Sequence, residues 1–153
     1  MNEAAHHGCR VSAALREDDI SAVHAFLTRS YWAQGISRAT VARSIANSLC
    51  FAMHCDVGQV ATLVGFARVV TDRTTFAYLC DVFVPEAHRG QGLAKRLMAA
   101  VLSHPELQGL RRIALVTRDA HGLYECQGFK PLAAPERWME RVVPNPYTIN
   151  PSP

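Results

Sequence analysis

The stretch from Cys80 to Ser103 constrains the fold most. An apolar, β-branched run stops at Pro85, passes through Arg89-Gly90-Gln91-Gly92 and resumes as an amphipathic helix. Leu93, Leu97 and Val101 recur at a spacing of four, with Ala94 and Met98 beside them and Lys95 and Arg96 on the other side. A strand that feeds a helix through a glycine turn points to a chain of packed sheet and helix layers.

The turn itself carries chemistry. Gly90 and Gly92 flank Gln91 where the chain reverses, so the backbone can approach a ligand closely and take conformations that a Cβ opposes. Free N–H groups at the start of the helix suit an anion, and a diphosphate satisfies more of them than a carboxylate does. Arg89, with Lys95 or Arg96, adds positive charge. The same glycines also suit a plain tight connection, and both readings stand at this point. The Gly-Lys-Ser/Thr ending of a P-loop is missing, as are the three glycines of a dinucleotide-binding turn.

Around this segment the chain reads as alternating elements. Residues 10–15 form a first strand, and Glu17-Asp18-Asp19 puts acid in the first turn of a helix carrying Ile20, Val23, Leu27 and Tyr31 on one stripe. Gly35 interrupts, and Ser37 caps a second helix marked by Val41, Ile45 and Leu49. Residues 50–54, 60–70 and 75–84 read as an antiparallel meander separated by turn chemistry. Residues 112–117 form a buried strand, Asp119 caps a short helix to Cys126 that Gly128 stops, and residues 136–143 form a closing strand. The order βααβββαβαβ gives an α+β, or mixed α/β, class, with one domain over residues 1–143 and a proline-rich tail over 144–153.

Composition narrows the function classes. A chain of 153 residues, 49% apolar, fills one core. The net charge of +3 is scattered, which argues against nucleic acid as a partner. Five cysteines without a C-x-x-C pair read as reduced structural thiols, and no metal site is expected. Neither an apolar leader at the N-terminus nor a membrane-length run is present, so a soluble, cytoplasmic protein is expected.

The segment from Val82 to Ala94 resembles the acyl-CoA pyrophosphate loop of the GNAT acetyltransferase family, Gln/Arg-x-x-Gly-x-Gly/Ala, with Arg89, Gly92 and Ala94 at the specified positions. Val82 to Pro85 looks like that family's fourth strand. Further on, Ala120-His121-Gly122-Leu123-Tyr124-Glu125-Cys126-Gln127-Gly128-Phe129 is similar to the family's Ala-x-x-Leu-Tyr-Glu-x-x-Gly-Phe segment. Thr117 stands where many members have asparagine.

The resemblance implies a mostly antiparallel sheet splayed between its fourth and fifth strands, with the pantetheine arm of acetyl-CoA lying in the gap. It implies cofactor contacts from Val82, Phe83 and Val84 on the strand and from Arg89, Gly90, Gln91, Gly92, Leu93, Ala94 and Lys95 on the loop and helix. It also implies N-acetyl transfer from acetyl-CoA, as co-substrate, to a primary amine, with Tyr124 as general acid toward the departing thiolate and a backbone N–H near Val82 to Val84 as oxyanion donor.

Asp81 either handles the amine or forms an ion pair with Arg68 or Arg118; His121 is a rival base. Tyr31 and Trp32 face the acceptor by cation–π contact, or Tyr31 is core. The expected partner is an amine acceptor, with a homodimer as an option and neither nucleic acid nor membrane. A non-catalytic acyl-CoA-binding domain is the alternative function.

Overall fold

The chain reverses at Gly58 and Gln59, whose φ angles of 55° and 70° are both positive. Such a two-residue turn matches the twist of the strands it joins, and it sets Val57 opposite Val60. The strands so registered are β2 (Leu49–Val57) and β3 (Val60–Thr71). They are the centre of the computed structural model, which describes residues 8–147.

A second turn is held by one carboxylate. Asp72 accepts hydrogen bonds from the backbone N–H groups of Thr74, Thr75 and Phe76 and from the Thr75 hydroxyl. These donors, Thr75 foremost, hold its carboxyl well below the usual range. The chain then returns as β4 (Phe76–Phe83), antiparallel to β3.

β1 (Cys9–Ser12) adds antiparallel to β2, and β5 (Arg112–Leu115) adds parallel to β4, giving the order β1-β2-β3-β4-β5. One face carries α1 (Glu17–Leu27) and α2 (Arg38–Ala46), whose Val23, Leu27 and Val41 pack with Phe66 and Phe83. Ser37 caps α2 by accepting from the Thr40 N–H. The other face carries α3 (Leu93–Leu102), with Leu93, Leu97, Met98 and Val101 buried against the sheet as the spacing of four predicts. A short α4 (His121–Glu125) follows β5.

Buried in the layer between α1 and the sheet is a polar cluster. Asp19 Oδ1 lies 2.7 Å from His54 Nε2, and Asp19 Oδ2 accepts from the Arg16 backbone N–H at 2.8 Å. One carboxylate thus caps the start of α1 and ties it to β2.

Three expectations are corrected. Residues 136–143 form no closing strand. Pro135–Arg137 is a 3-10 turn, and Trp138 lies 5.0 Å under the Arg112 guanidinium at the start of β5. From there the chain reaches Gly35, where Tyr147 packs, and among the described residues no ladder forms with β5.

Cys9 and Cys55, expected as free thiols, sit directly opposite each other on β1 and β2 and are joined in a disulfide. Cys50 and Cys80 remain free, and burial pushes both thiols up to about 12. Asp119 does not cap α4; the Thr117 hydroxyl accepts from the Ala120 N–H, and Ala120 is the cap residue. The expected tail over 144–153 falls partly outside the described residues, as do residues 1–7 at the N-terminus.

Candidate active site

β4 and β5 pair from Phe76 and Arg112 to Leu79 and Leu115, and then part. β4 runs on to Phe83 while β5 ends, so its edge beyond Leu79 has no strand partner on the β5 side among the described residues. The β3–β4 register also shifts here: Phe66 faces Phe83, but Arg68 faces Cys80. The extra residue on β4 forms a bulge, and Asp81 takes a left-handed φ of 51°. Bulges re-aim side chains and open sheets beside functional sites.

Beyond the bulge the side chains of β4 divide between the two cores. Phe83 stacks on Phe26 at 3.8 Å between ring centroids and 5° between planes, while Val82 and Val84 pack with the α3 side. The strand is thereby fixed from both faces while its edge stays open.

Pro85 then ends β4, and Arg89 Nε donates back to the Val84 carbonyl at 3.0 Å, pinning the loop to the strand. Gly90 and Gly92 have φ of 75° and 73°, conformations that L side chains rarely adopt, and a Cβ at either would meet nothing within 4 Å. The concavity is therefore open toward solvent.

Gly92 caps α3 without a side chain, and the first intrahelical bond runs from the Arg96 N–H to the Gly92 carbonyl. The amides of Leu93, Ala94 and Lys95 precede it and offer donors to an anion. Gln91 and Lys95 are exposed beside them, whereas Arg96 reaches across to the Cys9 carbonyl. A diphosphate fits this chemistry.

On the other side of the gap stands Tyr124, 8% exposed, with its ring against Phe129 at 5.8 Å. Gly128 ends α4 with φ of 89°, and the Phe129 N–H returns to the Tyr124 carbonyl. Burial, with Tyr31 nearby adding to it, pushes the phenol up to about 12. No hydrogen-bond partner for its hydroxyl is present among the described residues, so a largely buried donor is left unspent.

The acceptor-side expectations meet at Asp81. Trp32 Nε1 donates to Asp81 Oδ1 at 2.9 Å, and Arg68 Nε donates to Asp81 Oδ2 at 2.7 Å. Arg68 also reaches Ser48 Oγ at 3.1 Å. Of the two ion-pair partners weighed for Asp81, Arg68 is the one present. Arg118 instead lies over the Tyr31 ring at 3.8 Å and pairs with Asp119.

Tyr31 is 53% exposed and is not core; the described ring face is covered by this chain's own cation rather than left for a ligand. Tyr31 and Trp32 meet edge to face at 5.0 Å. His121 is exposed. A continuous chain of contacts thus runs from Arg118 through Tyr31, Trp32 and Asp81 to Arg68. Sequence reasoning missed Arg118 as a wall of this site, because no motif marks it.

A cavity of about 1130 Å³ lies elsewhere. It is a groove along the outer side of β5 that reaches Tyr124 but contains none of the glycine loop. Arg137, Trp138 and Met139, from the segment expected as the closing strand, form part of its lining.

A family profile described as the Acetyltransferase (GNAT) family matches residues 28–129. A curated relative from Gibberella zeae, named as a candidate acetyltransferase, is 30% identical, with 69% of each chain covered. The crystal structure of a candidate GNAT acetyltransferase from Xanthomonas campestris pv. campestris is 48% identical, covers 92% of this chain and 96% of its own, and superposes with a TM-score of 0.83. A candidate acetyltransferase from Clostridium acetobutylicum, solved with acetyl-CoA, shares the fold at 16% identity and a TM-score of 0.63, over 88% of this chain and 94% of its own. With two motifs, the splayed sheet and these matches in agreement, the chain belongs to the GNAT acetyltransferase family.

Proposed function

We propose that this protein is an N-acetyltransferase that moves an acetyl group from acetyl-CoA directly to a primary amine of a small molecule or peptide. The observations that carry this reading are the uncapped start of α3 behind Gly90 and Gly92 and the buried Tyr124 phenol, which burial keeps protonated and which has no hydroxyl partner among the described residues.

When bound, acetyl-CoA supplies a thioester carbonyl and a thiolate leaving group. Gly90, Gln91 and Gly92, with the amides of Leu93, Ala94 and Lys95 and the charge of Arg89, hold its diphosphate. Val82, Phe83 and Val84 offer their free backbone edge to the pantetheine arm, as an added strand pairs with a sheet. A backbone N–H there stabilises the oxyanion as the amine nitrogen bonds to the carbonyl carbon.

The C–S bond then breaks, and the Tyr124 O–H donates toward the departing sulfur. Asp81, held by Trp32 and Arg68, retains lone pairs for the acceptor's ammonium and acts with Tyr31 and Trp32 as the acceptor wall. Before attack the acceptor's ammonium gives one proton to water, so that a neutral amine bonds to the carbonyl carbon; after attack the nitrogen gives a second proton to water, and water returns one to the Tyr124 phenolate.

The acting unit is residues 1–143, with 144–153 as a tail, and the cytoplasm is its compartment. Among the described residues no helix is long and apolar enough to cross a membrane. The reading is tested by acetyl-CoA-dependent thiol release across a panel of primary amines, with calorimetry of acetyl-CoA binding alongside. Binding without turnover on any amine would leave a non-catalytic acyl-CoA-binding domain, and no binding at all would sink the cofactor assignment.

A further inference from the structure

Cys9 and Cys55 are bonded across β1 and β2. The compartment in the function proposed above is the cytoplasm, where thiols are kept reduced and a disulfide is usually transient and redox-sensing. The bond sits where β1 is least secured. β1 has four residues, lies at the edge of the sheet and begins at Cys9. The end of a short edge strand opens at little cost in free energy. Beyond backbone pairing, the Arg10 and Asp56 side chains also join the two strands, but both are more than half exposed, so their ion pair contributes little. The disulfide links residues 46 apart in sequence and is the firm tie at this end.

What the bond holds reaches the candidate cofactor site. Cys9 and Cys55 pack on the core cluster that contains Leu93, Leu97 and Met98 of α3. Arg96 Nη2 donates to the Cys9 carbonyl at 3.0 Å, and the Arg96 N–H makes the first intrahelical bond of α3, to the Gly92 carbonyl. The first turn of α3 is thereby braced against the residue that the disulfide pins. The amides just ahead of Arg96, those of Leu93, Ala94 and Lys95, are the ones that offer donors to a diphosphate.

On the compartment and diphosphate site of the proposed function, we propose that Cys9 and Cys55 form a reversible redox couple whose state sets how firmly the first turn of α3 is held, and through it the affinity for acetyl-CoA. The oxidised form fixes Cys9 and gives Arg96 its acceptor. In the reduced form the start of β1 opens, Arg96 loses that carbonyl, and the amides are less well organised for an anion.

Reduction takes two thiol groups of a cellular reductant. A thiolate of the reductant attacks one sulfur of the pair, the S–S bond breaks as a mixed disulfide forms, and the other cysteine leaves as a thiolate. A second reductant thiolate resolves the mixed disulfide. Two reductant thiols thus become one disulfide, supplying two electrons and, through water, the two protons that Cys9 and Cys55 take up. Cys50 and Cys80 stay out of the exchange, because burial keeps them as thiols and the thiolate is the nucleophile.

The experiment takes the full chain, at about pH 7, through ratios of reduced to oxidised glutathione that bracket the cytosolic poise. Acid quenching, alkylation and peptide mapping then assign the free thiols. Cys9 and Cys55 should become alkylated together as the buffer turns reducing, with far-UV circular dichroism unchanged, and should re-form the bond when it turns oxidising. On reduction, deuterium exchange at the Arg96, Leu97 and Met98 amides should quicken about 3- to 10-fold, and the acetyl-CoA Kd from calorimetry should rise by a similar factor, the net worth of about one hydrogen bond. The Cys9→Ser, Cys55→Ser double variant should match the reduced protein in every buffer. Arg96→Met keeps the stem and removes the donor, so its exchange rates and Kd should be the same in both redox states.

A pair that stays oxidised across the series while the protein is folded overturns the proposal, because the bond is then a fixed brace. Reduction that leaves α3 exchange unchanged overturns it too, as does an Arg96→Met variant that still responds to reduction. Exchange is read without ligand, which separates the two readings: if it quickens but acetyl-CoA binds neither form, the switch on α3 stands and the cofactor assignment falls.

Discussion

Arg68 Nε lies 2.7 Å from Asp81 Oδ2, joining the middle of β3 to the bulge of β4 at the point where the sheet opens. The pair is largely shielded, and the second carboxylate oxygen is taken by Trp32. The carboxylate thus braces the bulge and, in the function proposed above, also forms a wall of the acceptor site, two roles that one substitution can separate.

Asp81→Asn removes the charge that faces Arg68 and leaves a shielded guanidinium with a weaker partner. A stability loss of roughly 1.5–3 kcal/mol is expected, the range for hydrogen bonds to charged groups. If Asp81 also receives the acceptor's ammonium, the KM for the amine rises while acetyl-CoA affinity holds. Urea denaturation and steady-state kinetics on the same preparation decide the matter. A stability loss with unchanged acceptor KM and pH profile assigns Asp81 to structure alone.

Tyr124→Phe keeps the ring against Phe129 and removes only the hydroxyl. The expected effect is a fall in kcat of about 10- to 1,000-fold with little change in acetyl-CoA binding, at or below the usual worth of a positioned general acid. The pH profile carries a sign. A general acid works while protonated, and a phenol pushed up to about 12 stays protonated through the neutral and mildly alkaline range. Wild-type kcat should therefore show no falling limb from this group below about pH 11, within one unit of that value. Unchanged turnover in Tyr124→Phe removes the residue from the mechanism.

Gly92→Ala and Gly92→Glu separate backbone strain from charge. The left-handed φ costs a non-glycine residue roughly 1–2 kcal/mol, and nothing crowds the added Cβ. Both variants should show that modest loss on thermal melting. Only the glutamate also sets an anion among the free amides of α3, so its acetyl-CoA affinity should fall by at least about 100-fold, or ~2.7 kcal/mol. Calorimetry showing equal affinity in both variants would move the diphosphate elsewhere.

Asp19→Asn probes the buried cluster away from the chemistry. Burial works against the Asp19 carboxylate, but the Arg16 N–H, His54 and the Arg16 side chain outweigh it and hold its pKa below the ordinary value. A carboxyl depressed on folding stabilises the native state above its unfolded pKa, near ~3.9, and that contribution fades as pH falls through the folded value. The variant should be less stable than wild type by roughly 1.5–3 kcal/mol at pH 7. The gap should narrow below about pH 4, where the carboxyl protonates in the unfolded chain first. A gap independent of pH would mean that packing, not charge, sets the cost.

Much of the fold was legible because its signals are local. The spacing of Leu93, Leu97 and Val101, Ser37 before α2 and the glycine at the end of α4 each act within one or two turns. At the candidate site, the turn at Gly90 and Gly92 and the short helix that carries Tyr124 were legible, because backbone geometry makes them. What escaped depends on contacts between distant residues. The register that sets Cys9 against Cys55 is fixed across β1 and β2, and the missing strand at 136–143 reflects where Pro135 and Trp138 aim the chain rather than its strand pattern. Likewise, Arg68 and Arg118 were equal candidates for Asp81 until the bulge chose between them.

The Arg118 and Tyr31 contact yields the last prediction. A guanidinium 3.8 Å over an exposed tyrosine ring is worth only about 0.5–1 kcal/mol to stability, so Arg118→Ala should fold nearly as well as wild type. Its effect on the acceptor should be larger than its effect on the fold. In the function proposed above, Arg118 places a positive charge, partly offset by Asp119, on the wall that an amine passes, while the negative charge of Asp81 is already opposed by Arg68. A dicationic amine therefore meets more repulsion there than a monocationic one. Removing Arg118 should lower the KM for a diamine relative to a monoamine of the same chain length by roughly 3- to 10-fold, or about 0.7–1.4 kcal/mol, and free a ring face for cation–π contact. Raising salt from about 20 to 500 mM should shrink the wild-type difference between the two amines and leave the variant's less affected, since exposed charges are screened within a Debye length. If the diamine-to-monoamine KM ratio is the same in both proteins at low salt, Arg118 does not face the acceptor and its contact with Tyr31 serves only to join the turn after α1 to the loop after β5.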